Sequence, residues 1–169
     1  MAAFAKFEGT KGVKGESTDS EHRDQVLLQT MSAPVHRSIP EGAKDQQRMR
    51  GETTMGDVVM VRELDLSSVG LQEACADGTL FTAVTIHFTT QLAGKNKTYL
   101  EYVLENVIVT GYSLHAHHSG QPLPTEEVTL NYTKARWKYT KWLQTDKSSD
   151  PQNESSHGSF DVGAQEKLS

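Results

Sequence analysis

Apolar residues in this chain recur mainly at every second position, and that period of two restricts most of it to β structure. Residues 79–91 alternate, with Leu80, Val84, Ile86 and Phe88 on one face and Thr85, His87 and Thr89 on the other. Gly94-Lys95-Asn96-Lys97 is turn chemistry, and residues 98–117 return as a strand, giving one long hairpin. Leu100, Tyr102, Leu104, Ile108, Tyr112 and Leu114 share the even face of the return strand. Val103, Val107 and Val109 make its middle apolar on both faces, the pattern of a strand covered on both sides. A straight run of this length is expected to bend, and Gly111 is the place for it.

Further strands are predicted over 3–8, 24–31, 58–66 and 126–142. In the third of these predicted runs, Val58, Met60, Leu64 and Leu66 share a face that Arg62 interrupts. In the last, Val128, Leu130 and Tyr132 have one parity and Ala135, Trp137 and Tyr139 the other. That switch near Thr133–Lys134 demands a bulge or corner. A single short helix fits between: a serine N-cap at Ser67-Ser68, apolar spacing from Leu71 to Cys75, and Gly78 at the C′ position. Together these elements specify an all-β, mainly antiparallel fold, a small barrel or two packed sheets with one short α-helix.

Two stretches lack this periodicity. Residues 32–56 hold Pro34, Pro40, Gly42, Gly51 and Gly56 among charges, and a connection that long is usually functional or disordered. Residues 144–169 are rich in Ser, Asp, Asn and Gly and read as a flexible polar tail, leaving residues 1–143 as the one folded domain. The tail carries three of the five excess negative charges (Asp146, Asp150, Glu154, Asp161 and Glu166 against Lys147 and Lys167). The body is thus nearly balanced and has no long-range attraction for nucleic acid or an anionic membrane. Cys75 is the only cysteine, so no intrachain disulfide can form, and no segment approaches the roughly 20 apolar residues that span a bilayer. The opening Met-Ala-Ala-Phe-Ala-Lys-Phe-Glu lacks the basic and apolar regions of a secretory signal. The expectation is a protein made in the cytoplasm and, if exported, carried by another route.

Several blocks resemble one family. Val13-Lys14-Gly15-Glu16-Ser17-Thr18-Asp19-Ser20-Glu21-His22 is similar to the V-K-G-E-S-x-D-x-x-H signature of the Hcp (haemolysin-coregulated protein) family of the bacterial type VI secretion system. Val59-Met60-Val61-Arg62-Glu63-Leu64-Asp65, followed by Ala74-Cys75-Ala76-Asp77-Gly78, resembles that family's strand, helix and glycine turn. Tyr102 to Val109 resembles its long central strand, and Glu126 to Lys134 its final E-x-V-x-L-x-F/Y-x-K strand. The segment Gln29–Gly56 departs from the Ser-, Met- and Gly-rich pattern of the family, and Ser67-Ser68-Val69-Gly70 stands where a Lys-x-x-Pro run often precedes the helix.

The resemblance implies a β-barrel of two antiparallel sheets whose chains assemble as a homo-hexamer, a ring that stacks into the inner tube of a contractile secretion machine. It implies a structural protein and not an enzyme, with no cofactor. Its partners would be further rings, the spike and sheath proteins, and effector proteins carried in the lumen. Secretion would proceed through the type VI system without a signal peptide. Arg37, Glu41, Lys44, Arg48 and Arg50, in the loop 32–56, are then the candidates for contacts between rings.

Rival chemistry is limited. His115 and His117 of the run His115-Ala116-His117-His118 point the same way in a strand and could ligate zinc or nickel, which makes a small metal-binding β-barrel enzyme or binding module the alternative. Solvated imidazoles at a strand end are the simpler reading, and no third ligand lies close in sequence. Lys134, Arg136 and Lys138 interleave with Ala135, Trp137 and Tyr139 as in single-strand binders, but period two explains them as a solvated and a buried face. Cys75 sits among apolar neighbours and reads as core.

Overall fold

The computed structural model describes residues 1–49, 51–92, 94–116, 123–143, 152–164 and 166–167. Its centre is the predicted hairpin, β7 (Leu80–Leu92) and β8 (Lys95–His115), turned at Gly94 with φ 75°. Before it come β1 (Ala2–Gly9), β2 (Val26–Leu28), β3 (Thr30–Ser32), β4 (Val35–Arg37), α1 (Asp45–Met49), β5 (Thr53–Met55), β6 (Val58–Glu63) and α2 (Ser67–Asp77). After it come β9 (Thr125–Asn131), β10 (Lys134–Leu143) and β11 (Gln152–Asp161). Every pairing is antiparallel.

The main sheet runs β2-β1-β7-β8-β9-β6-β3, and its two ends meet. Only Gln29 separates β2 from β3, and its N–H donates to Val61 O of β6 at 2.8 Å, so the sheet closes into a barrel without leaving these two edges open. Val26, Val58, Met60, Leu71, Phe81, Val84, Ile86, Leu104, Val107, Val128 and Leu130 are buried inside it. β8 is long enough to have a second role. Residues 108–115 pair with β9 inside the barrel, whereas residues 100–105 pair with β10, which carries β11 on its far side. The segment read as a flexible tail thus contains a ten-residue strand. It escapes sequence reading because its residues are polar and its order comes from the edge that β10 offers.

The switch of parity expected near Thr133 is present and extends across the sheet. β1 shifts register between Glu8 and Gly9. In β7, Phe81 and Val84 both point inward. In β8, Asn106 takes φ 52°, its Nδ2 donating to Thr133 Oγ1 at 3.0 Å, and Leu104 and Val107 on either side of it are both buried although the register with β7 is unchanged. Tyr132 and Ala135 are then both buried on either side of the break between β9 and β10. This row reverses two sequence assignments, Leu80 and Ile108, which are exposed and registered opposite each other; Leu114 is exposed as well, near the end of β8 opposite Glu126. Gly111 does bend β8, at a bulge where a Cβ would press on Thr129 Oγ1 at 3.0 Å. Tyr139, expected inside, is half-exposed where β8 and β10 continue past the pairs of β9 with β6.

Arg62, the apparent interruption of β6, is fully buried. Its Nε lies 3.1 Å from Glu126 Oε1 of β9 but directs its hydrogen to Glu63 O at 3.2 Å; its other nitrogens donate to Asp65 and Ser67. Glu126 Oε2 accepts from Tyr112 of β8 at 2.6 Å, and burial with this carboxylate pushes the Tyr112 hydroxyl up to about 12. Asp65 also accepts the Ser67 N–H at 2.7 Å, so the start of α2 is held by Asp65 and not by the expected serine cap; Leu66 occupies the N-cap without a side-chain bond. Gly78 closes α2 at φ 68°, as predicted. Leu66 itself is exposed, not on the inner face of β6.

Removing one member of this buried pair strands the other. Arg62→Met is expected to cost about 3–5 kcal/mol in a urea titration, and Arg62→Met with Glu126→Leu to recover most of that loss. A double variant as unstable as the single one would show that the pair contributes net stability.

Candidate assembly surface

The aperiodic segment folds as an arm. β4 and β5 pair through Val35–Met55, His36–Thr54 and Arg37–Thr53, and the strands are joined across the one-turn helix α1. Neither strand was visible in the sequence, because three residues show no period. Backbone bonds define them, Ser38 N–H to Glu52 O at 2.8 Å and Gly56 N–H to Pro34 O at 2.9 Å, and Tyr132 Oη, donating to Gly56 O at 3.2 Å, ties the arm to the barrel. Two glycines permit close approach: a Cβ at Gly51 would run into Ser38 O, and one at Gly56 would meet Pro34 Cγ at 2.7 Å. The root of the arm closes over an apolar cavity of about 260 Å³ between Val35 and Met55 on one side and Tyr102, Leu104 and Trp137 on the other.

Of the residues singled out for contacts between rings, Arg37, Glu41, Lys44 and Arg48 are all exposed on this arm, and Arg50 lies outside the described residues. Arg37 is partly committed to the arm itself, donating to Thr53 Oγ1 at 3.3 Å and to Met49 O. Lys44 O receives the N–H groups of Gln47 and Arg48 at 2.8 and 3.1 Å. Between these charges the arm presents Val35, Ile39 and Met49, exposed by 57, 48 and 76%. Apolar side chains exposed to this degree on a polar projection are the usual mark of a contact surface.

A second surface is the outer face of β8, β10 and β11. Glu101, Val103, Arg136, Lys138, His157 and Ser159 line a shallow depression of about 600 Å³. Arg136 is paired with Glu105 at 2.8 Å and Lys134 with Asp161 at 3.5 Å, so these two cations are neutralised on the sheet face. The backbone N–H of Ala164, helped by Lys134, keeps the Asp161 carboxyl below its ordinary range despite some desolvation. β11 lies so close to β10 that a Cβ on Gly158 would enter the Trp137 indole ring.

His115 ends β8 exposed to solvent, opposite Thr125, and His117 and His118 lie outside the described residues. Among the described residues no three His, Cys, Asp or Glu side chains converge as a metal site would require. Cys75 is half-buried against the core, as its apolar setting suggested. No helix is long and apolar enough to cross a membrane among the described residues.

Residues 4–139 match the family model described as "Type VI secretion system effector, Hcp". No curated protein matches the sequence. Among solved structures, one described as a type six secretion system protein is 21% identical, covers 99% of both chains and superposes with a TM-score of 0.85. Hcp1 from Salmonella typhimurium is 18% identical over 99% of this chain and 98% of its own, with a TM-score of 0.74. The secreted protein Hcp3 from Pseudomonas aeruginosa is 21% identical over 92 and 96%, with a TM-score of 0.61. At such identities the likeness of structures establishes the fold; the family rests on the sequence match.

Gly51→Ala is expected to loosen the arm while leaving the barrel's melting temperature within about 1 °C, since the clash is confined to the Ser38 carbonyl. Limited proteolysis should then cut selectively within 35–55; uniform protection equal to the parent protein would contradict the proposed tight approach.

Proposed function

The chain belongs to the Hcp family of type VI secretion proteins, and from that premise we propose that it is the tube subunit, six copies closing a ring and rings stacking into a conduit for effector proteins. The observation that carries the reading is the arm: a hydrogen-bonded projection that presents Val35, Ile39 and Met49 between the charges of Arg37, Glu41, Lys44 and Arg48. An apolar patch ringed by charge suits a specific contact with the next ring, where complementary charges fix the register and the apolar centre supplies affinity.

Ring closure asks for a different surface. The outer edge of β11 and the exposed Leu80–Ile108 pair lie apart from the arm in sequence and give the barrel heterologous contacts, which close when the rotation between subunits closes. Stacking repeats a head-to-tail contact along an axis and so builds a filament. In this reading the subunit acts by assembly and holds no catalytic group. The spike and sheath engage the finished tube, effectors occupy its lumen, and the protein leaves the cell through the machine it helps to build.

Light scattering on untagged protein is expected to give six times 18.7 kDa, about 112 kDa, with open-centred rings in negative stain. A monomer at high concentration would overturn the tube reading. Deleting residues 41–49 should leave that mass unchanged while weakening the association of rings, and loss of the ring itself would remove the arm from the stacking role.

A further inference from the structure

The segment between β1 and β2 is not a free loop. Val13 near its start enters the core and Lys11 pairs with Glu73 and Asp77 of α2, while the remainder folds back on itself through Gly15 N–H to Asp24 O and Asp24 N–H to Ser17 O, both at 2.9 Å. What fastens the remainder to the barrel is His22, only 5% exposed. Its ring stacks on Phe4 of β1, centroids 4.6 Å apart and planes 13° from parallel, and lies 4.9 Å from the ring of His87 on β7. Phe4, His87 and Glu101 stand in one row across β1, β7 and β8. The segment is tied a second time to the hairpin tip, where Asn96 donates to Asp19, which also accepts the N–H groups of Glu21 and His22 at 2.9 and 3.1 Å.

Each imidazole has one nitrogen engaged. His22 Nδ1 lies 3.2 Å from Gln25 Oε1, and His87 Nε2 lies 3.2 Å from Glu101 Oε2. Both partners are acceptors, so in the neutral rings these nitrogens carry the hydrogens. The opposite nitrogens, His22 Nε2 and His87 Nδ1, are buried and have no hydrogen-bond partner among the described residues. A proton added to either creates a buried N–H without an acceptor, and a second proton sets two cations within 5 Å.

We propose that His22 and His87 form an acid-sensitive latch that holds the segment 15–25 on the barrel when neutral and releases it when protonated. The surrounding charges do not cancel this effect. Glu101 on β8 favours a charged His87 but stands opposite Lys138 of β10, while Lys6 on β1 opposes it and is itself paired with Glu8 at 2.5 Å. Asp19 is the acid that faces His22 within the segment. Burial pushes the His87 imidazole below its ordinary value, the neighbouring His22 adds to this, and Glu101 acts against it. Once the segment lifts away, the His87 ring on β7 regains water and an ordinary imidazole value of about 6.5. The open state therefore binds more protons, and the latch is fully closed above about 6.5 and weakens as pH falls through and below that value. This inference concerns contacts within one chain and stands independently of the tube reading.

Hydrogen exchange, corrected for the intrinsic dependence of amide exchange on pH, tests it at pH 7.5 and 5.5. The Gly15, Ser17 and Asp24 amides should lose protection on acidification, by up to about tenfold, the limit at pH 5.5 for one group that takes its proton at about 6.5 in the open state only, while the β7–β8 core amides keep theirs. His87→Gln, which leaves only His22 to take a proton, should show a clearly smaller loss. Equal protection at both pH values in the parent protein, or an equal loss in His87→Gln, overturns the latch. Should His87→Gln fail to fold, an NMR titration of the parent protein decides. Segment opening that follows ring protonation supports the latch, and rings that titrate near 6.5 while the segment stays protected overturn it.

Discussion

β8 is shared between two structures, and the rest of the fold depends on how it manages this. Its second half is a barrel stave between β7 and β9; its first half carries β10 and β11 away from the barrel. A strand of strict alternation cannot serve both, because the side chains facing the core in one half would continue on the same parity in the other. The left-handed backbone at Asn106, bonded to Thr133 beside it, resets that parity in the strand and its neighbour together. Asparagine tolerates this conformation at little cost, so the corner is built without glycine at that position.

The barrel that results is small, and one polar cluster is built into its wall. Arg62 and Glu126 come from adjacent strands, Tyr112 from the next, and Asp65 and Ser67 from the start of α2. Such a cluster is a poor source of net stability, because desolvation offsets much of the attraction. It is, however, directional in a way that apolar packing is not. Sliding β6 past β9 by one residue would turn Arg62 to the outside and leave Glu126 alone. The pair thereby fixes register at the point where β6 leads into the helix.

Sequence alone carried the hairpin, the bend at Gly111 and the change of phase near Thr133, since each leaves a trace in the order of apolar residues. It did not carry the row of irregularities as a whole. Leu80 and Ile108 fit the alternation of their strands and yet face outward, because the change of phase that turns them is set by backbone conformation, as at Asn106 with φ 52°, which no pattern records. Arg62 looked like a break in a strand because its partner is 64 positions away. β11 left no signal at all: its order comes from hydrogen bonds to β10, and polar residues satisfy those as well as apolar ones. The arm was legible only as a segment with charges and turns. That was enough to place Arg37, Glu41, Lys44 and Arg48 on one projection, but not to show the hairpin beneath them. The His22–His87 contact was hidden for the same reason, since one ring lies in a family signature and the other in an ordinary strand.

Both tryptophans of the chain, Trp137 and Trp142, stand on β10. Trp137 lies against Gly158 of β11, and Trp142 donates to Thr98 O at 2.8 Å beneath the Lys97 ammonium. Ultraviolet emission excited at the indole band is therefore a gauge of the extension and of the place where Trp137 packs against the barrel core. Circular dichroism, dominated by the staves, reads the remainder. The molecule thus comes with two optical channels assigned by its own topology. Whether the two domains of signal melt together or apart tells whether this sheet, continuous in hydrogen bonds, is also continuous in cooperativity.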